Sequence, residues 1–111
     1  ELAQRINRGL NEGINPERII IDPGLGFAKD ARQNFEIIHH LNVFRSLGFP
    51  VLAGPSRKSF LASVLPERAA AQRDGATAGA ASICAYQGAE YLRLHCGGMN
   101  WDAVKIAQAC S

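Results

Sequence analysis

The run Pro50-Val51-Leu52-Ala53-Gly54-Pro55-Ser56-Arg57-Lys58-Ser59 changes character at its middle. Its first half is apolar without alternation, the pattern of a strand buried on both faces. At Gly54 it turns into two cations flanked by two hydroxyls, a set of donors suited to an anionic or electron-rich ligand. The same order, apolar first and ionisable last, recurs upstream in Ile19-Ile20-Ile21-Asp22-Pro23-Gly24, whose β-branched run without alternation is likewise expected to be buried on both faces, and downstream in Tyr91-Leu92-Arg93-Leu94-His95. The chain therefore carries three strand ends of one design.

Helical patterns separate them. Leu2, Ile6 and Leu10 lie four apart on one face of an opening helix that stops at Asn11-Glu12-Gly13, and Gly13 to Arg18 reads as a plain connection. That helix begins without a cap, as expected of a stretch of a longer chain, although fraying at a true terminus would look alike. A second helix is expected from Asn34 to Leu47, with Ile37, Leu41, Phe44 and Gly48 as its stripe and Ile38 behind it. Phe60, Leu61, Val64 and Leu65 mark a short helix ended by Pro66, and residues 67 to 72 an exposed link. A third helix runs from Gly75 to Gln87; Ala78, Ala81 and Ala85, with Gly79, predict an unusually close approach to a neighbour. Asn100 is the expected cap of a last helix from Trp101 towards Ala109. Helices alternating with strands across short connections indicate parallel βαβ units. The expected fold is α/β, about three βα units from the C-terminal part of a (β/α)8 barrel, a fold that takes about 250 residues in full. The other arrangement open to this pattern is a small open sheet wound with helices. Ionisable residues at every strand end suit a barrel mouth better, where ligands bind at the carboxyl ends of the strands.

A chain of 111 residues with 47% hydrophobic and 20% charged residues has ordinary globular composition and is expected to be soluble. Its net charge of +2 is small and its cations dispersed, which argues against a nucleic-acid or membrane surface. No apolar stretch is long enough to span a bilayer, and no charged-then-apolar leader is present. Cys84, Cys96 and Cys110 are odd in number and widely spaced, which speaks against a disulfide framework or structural zinc and for a reducing compartment. Cys84 and Cys110 are expected to be small buried residues on helices.

Arg93 and His95 share one strand face, opposite Leu92 and Leu94. Either the strand has run out into solvent with both groups exposed, or Arg93 lies on the inner face of a barrel strand, where it is costly unless something anionic pairs with it. Phosphate sites favour the loops after the last barrel strands, which puts the anion site ahead. Arg57 and Lys58 add positive charge nearby; they are either a solvated pair at a helix start or part of the same site, and since cations there oppose the macrodipole, a phosphate or diphosphate is the expected guest. The Walker phosphate-loop spacing is absent. Asp22 is an acceptor fixed by Pro23; it suits either the paired N–H groups of a guanidine-like edge or an Asx turn for its own loop. Phe27 is a plug or a flat wall for an aromatic ligand. His39 and His40 diverge by about 100° on a helix and are expected on the surface.

Asp22-Pro23-Gly24-Leu25-Gly26-Phe27, Gly54-Pro55-Ser56-Arg57-Lys58-Ser59-Phe60 and Gly88-Ala89-Glu90-Tyr91-Leu92-Arg93-Leu94-His95 together resemble the dihydropteroate synthase family. The resemblance covers nearly the whole chain and corresponds to roughly the sixth to eighth βα units of the family's barrel, so residues 1–111 are expected to form part of one pterin-binding domain. It implies a transferase of folate biosynthesis. This enzyme condenses 6-hydroxymethyl-7,8-dihydropterin diphosphate with 4-aminobenzoate, giving 7,8-dihydropteroate and diphosphate through a pterin-stabilised cation. By position, Asp22 would hold the amino-pyrimidine edge of the pterin, Gly54 would let the backbone approach it, and Lys58 would bridge the pterin and aminobenzoate sites. Arg93 would stack on the pterin and, with His95, receive the diphosphate, making Lys58, Arg93 and His95 the catalytic set. Phe27, Arg57 and Ser59 resemble the aminobenzoate pocket, where sulfonamides compete. Mg²⁺ would be held mainly by the diphosphate and by residues outside this chain. The resemblance further implies a homodimer built through the last helices, a cytoplasmic or organelle-matrix location, and small-molecule partners with neither nucleic acid nor membrane.

One departure stands out: Cys96-Gly97-Gly98 follows the histidine where the family usually continues with an aspartate. The family's first strands, which supply further metal, diphosphate and pterin contacts, have no counterpart in these residues, so the chain alone is expected to lack synthase activity. Two competing readings are a pterin-dependent methyltransferase barrel, set apart by Ser56 to Ser59, and a non-catalytic half-barrel that associates through open sheet edges.

Overall fold

The computed structural model describes residues 2–26, 30–55, 58–64, 74–94 and 97–111, without the side chains of Ser59 and Ala62. Helix α1 (Leu2–Asn11) lays Leu2 and Ile6 against the core. The connection after it is more ordered than expected: the Asn15 side chain accepts the Glu17 N–H and starts a 3-10 turn over Pro16–Arg18.

The three strand ends lie side by side in sequence order and all run parallel. Ile21 bridges Val51, its N–H donating to the Pro50 carbonyl and its own carbonyl accepting from Leu52 N–H, both at 2.8 Å. Strand β1 (Leu52–Ala53) pairs with β2 (Tyr91–Leu92), with Leu52 opposite Tyr91 and Ala53 opposite Leu92. Successive parallel neighbours joined through helices are the winding of a barrel wall. The assembly measures 47 × 31 × 20 Å, the proportions of an open slab.

The expected burial of Ile19 to Ile21 on both faces is corrected. Ile21 is buried, but Ile20 is 48% exposed. Among the described residues this strand pairs on one side only, so the cover that a parallel strand needs on both faces is incomplete. A cavity of about 340 Å³ between it and α1 is lined by Ile6, Ile14 and Ile20.

The helix expected from Asn34 is instead two. Helix α2 (Ala31–His39) starts earlier because Asp30 and Gln33 form a capping box, each side chain taking the other's backbone N–H. It breaks at His40, and α3 (Leu41–Arg45) continues to the turn at Gly48. Ile38 and Leu41 are buried, as the stripe predicts, with Ile37 and Phe44 packed beside them, and both histidines are exposed. Residues Ser59–Ser63 form a 3-10 turn that buries Phe60 and Leu61, while Val64, expected in the stripe, is exposed. Leu65 and the link beyond it lie outside the described residues.

Helix α4 (Asp74–Tyr86) packs Ala81 and Ala85 against Val104 and Ala107 of α5 (Gly97–Cys110). Small side chains permit the close approach, as expected. Gly79 takes no part in it, having nothing within 4 Å of where a Cβ would stand. Asn100 is no cap: α5 begins before it, and its side chain is buried within the first turn. Cys84 is buried as expected, but Cys110 is exposed, lying in the last helical turn past Ala107, the last packed position of α5. Leu92 joins the two parts of the core, touching the cluster around Ile21, Leu41 and Val51 as well as that between α4 and α5.

Candidate functional site

At the carboxyl end of the first strand the chain must leave the sheet within a few residues. Asp22 sets the exit: its Oδ1 accepts the Gly24 N–H at 2.8 Å, the Asx turn of the sequence-level alternatives. The residue is exposed, not buried, and a carboxylate has more acceptor capacity than the one bond to Gly24 uses. Pro23 and Leu25 are buried beneath it and anchor the loop.

The loop then meets Lys58. The Lys58 Nζ donates to the Leu25 carbonyl at 2.6 Å, which draws the end of the second strand towards the end of the first. Burial of the ammonium and the nearby Arg93 charge push the Lys58 pKa below its usual value, while the Asp22 carboxylate pulls it back up. Both Asp22 and Arg93 therefore lie within electrostatic reach of one lysine. Gly26 makes this approach possible. Its φ of +86° is left-handed, and a Cβ there would stand 2.8 Å from Lys58 Cδ.

Arg93 comes from the third strand end, whose backbone N–H still donates to the Ala53 carbonyl at 3.0 Å. Its guanidinium lies over Gly54: a Cβ at that position would be 3.0 Å from Nη2 and 3.4 Å from Nε. Gly54 is thus a slot for a flat cation. Asp22, Gly54, Lys58 and Arg93, predicted from sequence as one site, are brought together at one end of the three strands. Phe27, Arg57 and His95 lie outside the described residues, and so does the Ser59 side chain. Among the described residues no group of three His, Cys, Asp or Glu side chains could hold a metal ion.

Two features were missed by reading the sequence. One is Asn34, buried under the Asp22 loop, with Oδ1 accepting the Gly26 N–H at 2.7 Å and Nδ2 donating to the Asp30 carbonyl at 2.9 Å. The Asp30-x-x-Gln33 capping pattern was its available signal, since it places residue 34 in the first turn of α2 beside the loop. The other lies at the opposite end of the strands. Glu90 accepts two hydrogen bonds from the Arg45 guanidinium, at 3.2 and 2.9 Å, and one from Val51 N–H at 3.1 Å.

Parallel strands in sequence order form a barrel wall, with an acceptor and two cations gathered at their carboxyl ends. A family profile described as pterin binding enzyme matches residues 1–95, and the chain belongs to that family. Within it, the chain is similar to dihydropteroate synthases. It is 40% identical over 108 residues to the dihydropteroate synthase of Haemophilus influenzae, covering 97% of this chain and 39% of that protein. It is also 40% identical over 109 residues to a probable bifunctional folylpolyglutamate synthase/dihydropteroate synthase of Halobacterium salinarum, covering 98% of this chain and 13% of that protein. Among solved structures, the Coxiella burnetii dihydropteroate synthase in complex with pteroic acid superposes with a TM-score of 0.94 at 36% identity, covering 98% of this chain and 40% of that one. The chain thus spans about two fifths of the length of the single-function relative. The fold is accordingly part of a (β/α)8 barrel.

Proposed function

We propose that these residues, as the C-terminal three βα units of one pterin-binding domain, supply part of the active site of a dihydropteroate synthase. The reaction is the condensation of 6-hydroxymethyl-7,8-dihydropterin diphosphate with 4-aminobenzoate, with loss of diphosphate. The observation that carries this reading is the convergence of Asp22, Lys58 and Arg93 at one mouth. A planar heterocycle with an amino-pyrimidine edge needs an acceptor in its plane, and the exposed Asp22 carboxylate is suited to that need. The Arg93 guanidinium, flat against Gly54, offers a stacking face to the ring and a fork of donors to the leaving diphosphate. Lys58, tied to the Asp22 loop, is placed between ring and arylamine. His95 with Arg93 would take the diphosphate, and Phe27, Arg57 and Ser59 would line the aminobenzoate pocket that sulfonamides enter.

The described residues do not fit a metal site of their own. In this reading Mg²⁺ is carried by the diphosphate and by parts of the barrel beyond these residues, and no step is routed through it. A homodimer through α4 and α5 accords with the exposed Ile83, Tyr86, Trp101 and Ile106 on those helices. A cytoplasmic or organelle-matrix location is part of this proposal; no described helix is long and apolar enough to cross a membrane.

The test supplies the remaining barrel strands, in a longer natural chain carrying these residues or by co-expression with the N-terminal part of the H. influenzae relative. Synthase turnover and calorimetric titration with pteroic acid are compared for wild type, Asp22→Asn and Lys58→Ala. Strong weakening by both substitutions supports the reading, and a folded complete barrel with neither turnover nor binding overturns it. The 111 residues alone are expected to show no turnover.

A further inference from the structure

Asn34 is 1% exposed and both ends of its amide are committed, the oxygen to Gly26 N–H and the nitrogen to the Asp30 carbonyl. This pairing fixes which way the amide faces, since a flip would set donor against donor. The hydrogen bond to Gly26 acts on more than one residue. The Gly26 N–H and the Leu25 C=O belong to one planar trans peptide unit, in which they point in opposite directions. Asn34 holds the N–H side of that plane at 2.7 Å, and Lys58 Nζ donates to its C=O side at 2.6 Å. Rotating the plane would break both bonds together.

We propose that Asn34 is a positioning residue for Lys58: by locking the Leu25–Gly26 peptide plane from beneath, it aims the carbonyl that holds the lysine ammonium at the site mouth. This rests on the reading of Lys58 as a ligand-facing residue. Gly26 serves the same arrangement from the side, because the lysine stem crosses the space a Cβ would fill. A buried asparagine that merely stabilised the loop would lower folding stability without coupling to one distant side chain.

The experiment is a double-mutant cycle in the complete barrel, reading pteroic acid affinity for wild type, Asn34→Ala, Lys58→Ala and the pair. Asn34→Ala alone is expected to weaken binding about tenfold, as loss of one well-placed polar contact does. In the Lys58→Ala background the same substitution should cost less than about twofold, because its target is gone. A full tenfold cost in both backgrounds would overturn the proposal. Should Asn34→Ala fail to fold, Asn34→Ser takes its place in the cycle, since it leaves room for water to satisfy the two backbone groups while freeing the peptide plane.

A second readout does not depend on pterin binding. The Lys58 ε-carbon resonance, titrated by NMR, should move towards an ordinary lysine when Asn34 is replaced, as the ammonium leaves its desolvated position. If the wild-type barrel binds no pteroic acid, the functional reading fails while this titration still decides the positioning role; an unchanged Lys58 titration then overturns it.

Discussion

The two ends of the three strands are built on opposite terms. At the amino ends, Glu90 ties Arg45 of α3 to the start of β1 with three hydrogen bonds between fixed partners, closing polar groups on one another. At the carboxyl ends, Asp22 and Arg93 are exposed, and the like charges of Lys58 and Arg93 are kept close. The first arrangement pairs opposite charges, and the second holds like charges together, which in the proposed function the incoming diphosphate neutralises. The division is that of barrel enzymes generally, with stability at one face and chemistry at the other.

The sharpest way to break this contrast is Arg93→Ala in the complete barrel. We expect kcat/KM to fall about 10²-fold, the usual effect of deleting one transition-state donor, while the melting temperature moves by less than about 2 °C because the side chain is exposed. A collapse in stability would assign Arg93 to the structural end. Gly54→Ala comes next: its Cβ would stand 3.0 Å from Arg93 Nη2, so the guanidinium must shift by a few tenths of an ångström. About a tenfold loss of pteroic acid affinity is expected by calorimetry, equivalent to about 1.4 kcal/mol.

Glu90→Gln tests the other end. Burial alone would raise the Glu90 pKa, but the Arg45 hydrogen bonds, the Val51 N–H and the Arg45 charge outweigh it and hold the carboxyl below its usual 4.5. Both partners are partly exposed, so solvent screening limits the loss to about 1 kcal/mol, a few degrees in melting temperature, with ligand affinity unchanged. The pH dependence has a definite sign. With the folded pKa depressed, the stabilisation is complete above 4.5 and drains away as pH falls through the lower folded value. Thermal melts from neutral to acid pH should therefore show a shallower decline in Glu90→Gln than in wild type. The smallest effect concerns the thiols. Burial pushes Cys84 up to about 12, so under native conditions iodoacetamide should leave it unmodified while labelling the exposed Cys110, as mass spectrometry would show.

Much of this was legible in the chain because the signals are local. Asp22 and Arg93 follow directly on an apolar strand and Lys58 lies in the loop after one, and strand direction alone sends such residues to one end. The stripe of Ile38 and Leu41 likewise followed from helical period. What could not be read involved partners distant in sequence. The Arg45–Glu90 pair joins residues 45 apart, and Lys58 reaches Leu25 across 33, neither marked by any spacing rule. Ile20 misled because an unbroken β-branched run predicts burial on both faces, whereas burial depends on what lies opposite.

The sequence by itself determined the alternation of strands and helices, the parallel winding and the residue types at each strand end, since these depend on side-chain period and backbone chemistry within a few residues. Only the tertiary structure decided that Asp22 caps its own loop while remaining exposed, that Asn34 sits beneath Gly26, and that one peptide plane links it to Lys58. Such relations are set by the meeting of segments far apart in the chain, where the geometry of packing chooses among pairings that local chemistry leaves equal.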